Sequence, residues 1–218
     1  MSDSIGELDL VLITDRKVCE RKLTDIIEQA VDGGVGTVQL REKDLSTCDL
    51  YSLAKEIREI TERKGANLII NDRVDIAIAV DADGVHLGWQ SLEIDMVRRM
   101  IGQDKLIGFS AHSLEEAERA ENSGADYISI SPIFDTANKD YFIKPLGVGE
   151  IGKIKELINI PVIALGGINE NNVNEVLKNG ADGVAVISAI LLSDSPEQAV
   201  TGICREMRKI GSESEIEL

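Results

Sequence analysis

The stretch Asn179-Gly-Ala-Asp-Gly-Val184 has the pattern of a helix end, a short turn and the start of a strand. The same pattern occurs at Ser123-Gly-Ala-Asp-Tyr-Ile128 and at Val80-Asp-Ala-Asp-Gly-Val85. A glycine after the last helical residue tolerates the left-handed conformation that closes a helix. The intervals between these stretches are long enough for whole strand–helix pairs. We therefore interpret them as repeated helix-to-strand joints, and not as the short repeats of a solenoid.

Eight apolar, strand-like segments alternate with segments of helical periodicity. The strand candidates are residues 10–13, 37–40, 68–70, 84–87, 106–109, 127–131, 162–165 and 183–187. Most are continuous apolar runs, which is typical of parallel strands that are buried on both faces. Between them, apolar residues recur at helical spacing, as at Leu23, Ile26, Ile27 and Ala30. We predict an α/β fold, a single (β/α)8 TIM barrel, with an open doubly wound sheet as the alternative.

The length of 218 residues suits one barrel domain. We assign residues 1–210 to a single catalytic barrel and the acidic residues 211–218 to a C-terminal tail. The sequence contains no apolar run of membrane-spanning length and no secretory signal at its N-terminus. The three cysteines are far apart and odd in number, so we expect reduced thiols in a cytoplasmic protein.

The formal net charge of −16 makes nucleic acid and anionic membranes unfavourable partners. Basic residues gathered at one place in so acidic a chain are therefore informative. Four of them follow predicted strands: Arg41, Lys43, Lys139 and Lys144. In a TIM barrel such residues face the active site, where Arg and Lys can bind phosphate. The alternative is four solvated surface charges. The sequence leaves open whether copies of the chain form a homo-oligomer.

Other polar residues also follow the strand candidates. Asn71 and Asp72 offer oxygen ligands suited to Mg²⁺, although Asp72 could also cap the next helix. Gly166-Gly167 and Ser188 lie where barrel loops often bind phosphate through backbone N–H groups, although a Gly-Gly pair also makes a plain turn. We interpret His86 as a barrel-lining residue. His112 fits acid–base chemistry and simple polar packing equally well.

Taken together, these segments resemble the thiamine-phosphate synthase family, also called thiamine-phosphate pyrophosphorylase. The resemblance runs from Leu10 to Ile190 and depends on the order and spacing of many segments. They are Ile13-Thr-Asp-Arg16, Gln39-Leu-Arg-Glu-Lys-Asp44, Leu68-Ile-Ile-Asn-Asp-Arg73, Ala82-Asp-Gly-Val-His-Leu-Gly88, Gly108-Phe-Ser-Ala-His-Ser113, Ser131-Pro-Ile-Phe134, Ile163-Ala-Leu-Gly-Gly-Ile168 and Ala181-Asp-Gly-Val-Ala-Val-Ile-Ser188.

The resemblance implies a transferase reaction. The family joins 4-amino-5-hydroxymethyl-2-methylpyrimidine diphosphate to 4-methyl-5-(2-phosphoethyl)thiazole, and the products are thiamine monophosphate and pyrophosphate. Mg²⁺ assists. In the mechanism ascribed to the family, the C–O bond of the pyrimidine breaks first, and the thiazole nitrogen traps the resulting carbocation. Such a reaction depends on neutralising the charge of the leaving diphosphate.

The resemblance also implies roles for individual residues. By similarity, the catalytic residues are Arg41, Lys43, Ser110 and Lys139. The substrate-binding residues implied are Gln39, Leu40, Arg41, Glu42, Lys43, Asn71, Ser110, Thr136, Asn138, Lys139, Gly167, Ile187 and Ser188. Within this set, Thr136, Gly167, Ile187 and Ser188 are implied to hold the thiazole phosphate. Asp72 is implied to bind Mg²⁺.

Two positions depart from the family pattern. The family usually has an Asp at the place of Ser91, as a second Mg²⁺ ligand; here Ser91-Leu-Glu-Ile94 has the pattern of a helix N-cap. A neutral hydroxyl is a poor replacement for a carboxylate ligand. The loop after the sixth strand reads Asp135-Thr-Ala-Asn-Lys139, where the family often has Pro-Thr-x-Thr-Lys. Asn138 can still donate a hydrogen bond to phosphate, while Asp135 adds negative charge.

Two other functions stay open. A thiazole tautomerase of the same fold relies on a histidine that matches His112. A barrel that binds phosphate or thiazole without catalysis is the other alternative. Arg41-Glu-Lys43 and Asn71-Asp72 are intact and have no obvious use in a tautomerase, whose pattern also has His at the position of Pro132. Release of pyrophosphate only when both substrates are present would distinguish the synthase.

Overall fold

Eight parallel strands close into a barrel in the computed structural model of the chain, which describes residues 8–136 and 144–214. The strands are β1 (Leu10–Ile13), β2 (Thr37–Leu40), β3 (Asn67–Asn71), β4 (Gly84–Leu87), β5 (Leu106–Ala111), β6 (Tyr127–Ile130), β7 (Val162–Leu165) and β8 (Gly183–Val186). Each strand pairs with its neighbours in the sequence, and β1 closes the barrel against β8 with Val11 opposite Ala185. The predicted (β/α)8 barrel is confirmed, and the open sheet is excluded.

Helices lie around the barrel, between successive strands and after β8. They are α1 (Leu23–Gly33), α2 (Thr47–Lys64), α3 (Val74–Ala79), α4 (Ile94–Ile101), α5 (Leu114–Asn122), α6 (Gly149–Lys155), α7 (Val173–Lys178), α8 (Ser188–Leu191) and α9 (Pro196–Ser214). The sequence analysis missed α8, because four residues are too few to show a helical period. The helix α9 continues to Ser214, into the residues assigned to an acidic tail. None of the helices described has both the length and the apolar character needed to cross a membrane.

Side chains alternate between the two faces of each strand, as strand geometry requires. Those facing outward, such as Val38 and Leu40 of β2, join the core between the sheet and the helices. Those facing inward form a second, smaller core within the barrel; it includes Val11, Ile69 and Ile163. This burial on both faces explains why the strands appear in the sequence as continuous apolar runs.

The aspartates of the repeated sequence pattern form the same contact three times, and we call them the aspartate joints (Asp83, Asp126 and Asp182). Each lies directly before an even-numbered strand. Its Oδ2 accepts hydrogen bonds from a backbone N–H near the start of the preceding strand and from a basic side chain of the helix before that strand. The three sets are Asp83 with Leu68 and Arg58, Asp126 with Ile107 and Arg98, and Asp182 with Val162 and Lys155, at N···O distances of 2.5–2.8 Å.

Candidate active site

The barrel interior becomes polar toward the carboxyl ends of β2 to β6. The inward-facing polar residues there are Gln39, Asn71, His86, Ser110 and Ser129. On the opposite side, Ile13 of β1 and Leu165 of β7 keep the interior apolar. The polar sector faces the end of the barrel at which TIM-barrel active sites lie.

Gln39 and Asn71 are joined across neighbouring strands. The Nε2 of Gln39 donates to the Oδ1 of Asn71 at 3.0 Å, and Gln39 is only 4% exposed. This bond holds the Asn71 amide at the mouth of the barrel, directly before Asp72. The structure thus brings together two predicted binding residues that lie 32 positions apart in the sequence.

His86 lies at the centre of a buried hydrogen-bond network. Its Nε2 is 2.9 Å from the Ser110 Oγ and 3.2 Å from the Ser129 Oγ, while its Nδ1 is 3.1 Å from the Tyr127 hydroxyl oxygen. Burial lowers the pKa of His86 to about 4, and the positive charge of Arg41 contributes to the shift. The imidazole is therefore neutral at pH 7. The structure confirms the interpretation of His86 as a barrel-lining residue. It also shows that His86 contacts Ser110, a candidate site residue.

The lowered pKa of His86 predicts a loss of stability in mild acid. The folded-state pKa lies near 4 and the reference value is 6.5, so the unfolded chain takes up the proton first as the pH falls. The contribution of the neutral imidazole to the free energy of unfolding is fully present above pH 6.5 and is lost as the pH falls toward 4. Between pH 7.5 and 5 we expect this loss to be about 2 kcal/mol. Denaturant unfolding at both pH values should show that loss in wild type and not in His86→Gln.

A matched His112→Gln variant controls for the removal of one histidine. An equal pH dependence of unfolding in wild type and His86→Gln would contradict the assignment.

Arg41, Lys43 and Asp72 place three charges at the rim of the barrel. The backbone N–H of Arg41 donates to the Thr14 Oγ1 at 2.9 Å, which fixes the start of the loop after β2. Partial burial lowers the pKa of Lys43; the charge of Arg41 lowers it further, and the carboxylate of Asp72 opposes both effects. The charges of Arg41 and Asp72 therefore both act on Lys43.

Two residues of the predicted binding set have side chains that are engaged elsewhere. Leu40 is 1% exposed and packs in the outer core, because the alternation of β2 turns it away from the barrel interior. The Glu42 carboxylate is also buried. It accepts a hydrogen bond from the Arg16 backbone N–H at 3.0 Å and pairs with the Arg16 guanidinium at 3.5 Å. Burial raises the pKa of Glu42, and Arg16 binds Asp44 as well, so Arg16 ties the loop after β1 to the loop after β2.

The loops after β6 and β7 pack closely together. Gly167 has a φ of +68°, and a Cβ there would lie 2.7 Å from the Asp135 carbonyl oxygen and 2.8 Å from the Phe134 Cβ. Glycine is therefore required by both conformation and space. Ile187 precedes α8 and Ser188 is its first residue, so the loop after β8 begins directly with a short helix.

Part of the predicted site lies outside the described residues. The structure describes Thr136 as half-buried and Lys144 as exposed, while Asn138 and Lys139 fall in the gap between them. The roles predicted for Asn138 and Lys139 stay predictions.

Asp72 and Ser91 do not cap the helices that follow them, although the sequence suggested that both could. Asp72 has a φ of +65°, and α3 begins two residues later without a side-chain cap, so the N-cap expectation for Asp72 is wrong. The Oγ of Ser91 accepts a hydrogen bond from the Gly88 backbone N–H at 2.8 Å, and α4 begins only at Ile94. Ser91 closes the turn after β4 and does not cap the helix.

His112 is exposed at the end of β5. Its Nδ1 is 2.8 Å from the Ser131 carbonyl oxygen, and its backbone N–H donates to the Glu116 carboxylate. These contacts agree with simple polar packing of His112. Among the described residues, none forms a hydrogen bond with its Nε2.

Sequence reasoning missed four residues that support the site: Thr14, Arg16, Tyr127 and Ser129. A signal for two of them was present. In Tyr127-Ile-Ser-Ile130, polar and apolar residues alternate with the period of a strand, which places Tyr127 and Ser129 on one face. Thr14 and Arg16 show no such alternation, but they lie in Ile13-Thr-Asp-Arg16, one of the segments that carry the family resemblance.

Comparison with known proteins identifies the family. The sequence model for thiamine monophosphate synthase matches residues 10–190. The thiamine-phosphate synthase of Clostridium novyi is 46% identical over 191 residues, which are 87% of this chain and 94% of the relative. That of Clostridium acetobutylicum is 49% identical over 183 residues, which are 84% of this chain and 86% of the relative.

A solved structure agrees with the sequence comparison. Thiamine phosphate pyrophosphorylase from Pyrococcus furiosus superposes with a TM-score of 0.87 at 37% identity, covering 94% of this chain and 98% of that one. The barrel, the polar sector at its carboxyl end and these relatives agree: the chain belongs to the thiamine monophosphate synthase family.

Proposed function

We propose that this transferase joins hydroxymethylpyrimidine diphosphate to thiazole phosphate and releases pyrophosphate and thiamine monophosphate. The proposal rests on the charged residues at the mouth of the barrel. There, Arg41 and Lys43 gather positive charge beside Asp72 in a chain with a net charge of −16. An anionic substrate is the ligand that such a rim favours.

Each residue of the rim has a task in that reaction. The guanidinium of Arg41 and the ammonium of Lys43 bind the diphosphate and stabilise the charge that grows as the C–O bond breaks. The bonding electron pair stays with the diphosphate oxygen, and the thiazole nitrogen then supplies the pair for the new C–N bond. This sequence requires no proton transfer. A neutral, buried His86 therefore fits a supporting place beside Ser110, which donates a hydrogen bond to the diphosphate.

The residues at the rim fit a Mg²⁺ ion that is shared with the substrate. Asp72 is exposed, and its carboxylate accepts no hydrogen bond from the residues described. Within residues 8–136 and 144–214 no three His, Cys, Asp or Glu side chains cluster as a metal site. An exposed carboxylate beside a bound diphosphate suits Mg²⁺, which commonly takes one or two carboxylates together with phosphate oxygens and water. Asp72, directly after β3, would hold the ion, and Ser91, in the turn after β4, would be a weaker ligand. When bound, Mg²⁺ would neutralise charge on the diphosphate.

The thiazole phosphate is proposed to bind at the loops after β6, β7 and β8. Gly167, Ile187 and Ser188 would offer backbone N–H groups, and Thr136, Asn138 and Lys139 would contribute from the loop after β6. We also propose that the enzyme works in the cytoplasm on small molecules, since Cys19, Cys48 and Cys204 are free thiols.

The deciding test is a pyrophosphate assay with purified protein, Mg²⁺ and the two substrates. The proposal expects pyrophosphate only when both substrates are present. Isomerisation of a thiazole carboxylate substrate without pyrophosphate release would favour the tautomerase instead. Binding of thiazole phosphate with no turnover of either substrate would favour a non-catalytic barrel.

Replacing Ser91 by Asp is expected to lower the Mg²⁺ concentration that gives half-maximal activity. An added carboxylate would return a negative charge to the metal site, while Asp can still accept the Gly88 hydrogen bond. A Mg²⁺ titration at saturating pyrimidine diphosphate measures the shift. Coincident curves for wild type and Ser91→Asp would show that residue 91 does not face the metal.

His112→Ala is expected to leave pyrophosphate release within about tenfold of wild type, a change of no more than ~1.4 kcal/mol in the barrier. His112 is held by the Ser131 carbonyl oxygen, and the proposed reaction needs no proton transfer. Initial rates with both substrates measure the effect, with the thermal midpoint as a control for folding. A loss of several orders of magnitude at an unchanged midpoint would mean that the chemistry depends on a histidine.

A further inference from the structure

We propose that Tyr127 sets the tautomer of His86 and thereby makes the Ser110 hydroxyl a hydrogen-bond donor toward the diphosphate. Tyr127 and His86 are then positioning residues, since neither touches the substrate. The proposal rests on the proposed function for the identity of the anion. The tautomer itself is a property of the protein alone.

The first step is the hydrogen bond between Tyr127 and His86. Both side chains are 3% exposed, and the phenol oxygen is 3.1 Å from Nδ1. Among the described residues, Nδ1 is the only hydrogen-bond partner of the phenol. A neutral imidazole has one N–H donor and one acceptor nitrogen. If Nδ1 carried the hydrogen, the phenol O–H would be buried without an acceptor, which is unfavourable. With the hydrogen on Nε2, it is the Ser129 hydroxyl, 3.2 Å from Nε2, that needs another acceptor. A serine hydroxyl rotates about its Cβ–Oγ bond to find one, whereas a phenol hydrogen is held near the ring plane. The phenol therefore donates to Nδ1.

The second step follows from the first. With Nδ1 as acceptor, the hydrogen of the imidazole must lie on Nε2. Nε2 then donates to the Ser110 Oγ, which at 2.9 Å is nearer than the Ser129 Oγ at 3.2 Å. Ser110 accepts this bond through an oxygen lone pair, so its own hydrogen stays free to donate at the mouth of the barrel.

The opposite tautomer would reverse the effect. An unprotonated Nε2 would accept a hydrogen from Ser110, the nearer of its two serine partners, at 2.9 Å against 3.2 Å for Ser129. Ser110 would then present only lone pairs to an anionic substrate, which repels them. A doubly protonated imidazole is disfavoured by burial, and no carboxylate of the described residues hydrogen-bonds to the ring. The direction of donation thus runs from Tyr127 through His86 to Ser110.

The packing of the barrel preserves this arrangement. Gly108 lies opposite Tyr127 and His86 in the barrel sheet, and a Cβ there would lie 2.2 Å from the Tyr127 Cζ and 2.5 Å from the His86 Nδ1. Neither atom is the end of a flexible chain that could move away. The missing side chain of Gly108 provides the space in which the phenol and the imidazole meet.

The first test reads the tautomer directly. The chain has only 2 histidines, so ¹⁵N-histidine labelling gives two ring systems, and His112→Ala assigns them. Long-range ¹H–¹⁵N correlation near pH 7.5 is expected to show the Nε2–H form for His86 in wild type and a mixture of forms in Tyr127→Phe. An Nδ1–H form in wild type, or an unchanged spectrum in Tyr127→Phe, would overturn the proposal.

The second test links the tautomer to the substrate. Tyr127→Phe is expected to raise the KM for the pyrimidine diphosphate about fivefold and to leave the KM for thiazole phosphate unchanged. His86→Gln, whose amide can still donate to Ser110, should retain more activity than His86→Leu at a similar thermal midpoint. Tyr51→Phe, on the exposed surface of α2, is the matched control and should change neither KM.

The two tests separate the two ideas. A changed tautomer with an unchanged KM for the pyrimidine diphosphate in Tyr127→Phe would overturn the link to Ser110. If wild type releases no pyrophosphate at all, the proposed function fails, while the spectrum still decides the tautomer.

Discussion

Replacement of Arg41 by alanine is expected to lower kcat/KM for the pyrimidine diphosphate by about a hundredfold, or ~2.7 kcal/mol of barrier. Charge-assisted hydrogen bonds to phosphate are among the strongest polar contacts that proteins make. The positive charge of Arg41 lowers the pKa of both Lys43 and His86, so this cation acts on the rim and on the polar sector of the barrel. Loss of this cation leaves the growing charge of the diphosphate partly unopposed.

The stability of the Arg41→Ala variant should be close to wild type. Among the residues described, only the backbone N–H of Arg41 forms a hydrogen bond, and alanine keeps it. Steady-state rates and denaturant unfolding measure the two effects separately. Arg63→Ala is the matched control, because Arg63 lies at the far end of α2 and is 59% exposed. A kcat/KM within twofold of wild type for Arg41→Ala would remove this residue from the binding site.

Asp83→Ala is expected to destabilise the protein by about 2–3 kcal/mol. The substitution leaves the Leu68 backbone N–H without its acceptor and the Arg58 guanidinium, 20% exposed, without its partner. Both groups lie at the start of β3, at the amino ends of the strands. Activity measured well below the thermal midpoint should therefore be unchanged. Urea unfolding of wild type and variant gives the free-energy difference.

Asp95→Ala provides the comparison for this loss. Asp95 also pairs with an arginine, but Asp95 and Arg99 are 65% and 70% exposed, so their ion pair contributes little. We expect a change below about 1 kcal/mol there. Equal losses in Asp83→Ala and Asp95→Ala would mean that the buried N–H is satisfied in some other way.

The barrel could be predicted from the sequence because each of its elements carries a local pattern. The strands β1, β2, β4 and β7 begin and end at the predicted residues. β5 runs two residues further than predicted, since Ser110 and Ala111 continue the ladder with Ser129 and Ile130 of β6. Hydrophobic periodicity contains no information about such pairing between distant segments, which is why strand ends are harder to predict than strand centres.

The candidate site could be predicted only in part. The rim residues Arg41, Lys43 and Asp72 follow their strands directly, and the fold rule for TIM barrels identifies them. The buried support for the site depends on which side chains meet when the barrel closes. Tyr127 and His86 are 41 residues apart, and Arg16 and Glu42 are 26 residues apart. No local pattern predicts either pair.

The aspartate joints have a consequence for the order in which the barrel can become stable during synthesis. Each joint links two successive strands and the helix before them, so β3–β4, β5–β6 and β7–β8 can each be held by a contact between residues close in sequence. The corresponding position before β2 is Gly36, which has no side chain to offer.

The first strand pair depends instead on the last helix. α9 packs against α1 so closely that a Cβ at Gly33 would lie 2.7 Å from the Glu197 carbonyl oxygen. Because a ribosome makes the N-terminal segments first, β1 and β2 emerge long before the helix that braces them. The first strand pair of the barrel is thus the last to be braced, and the barrel closes where β1 meets β8.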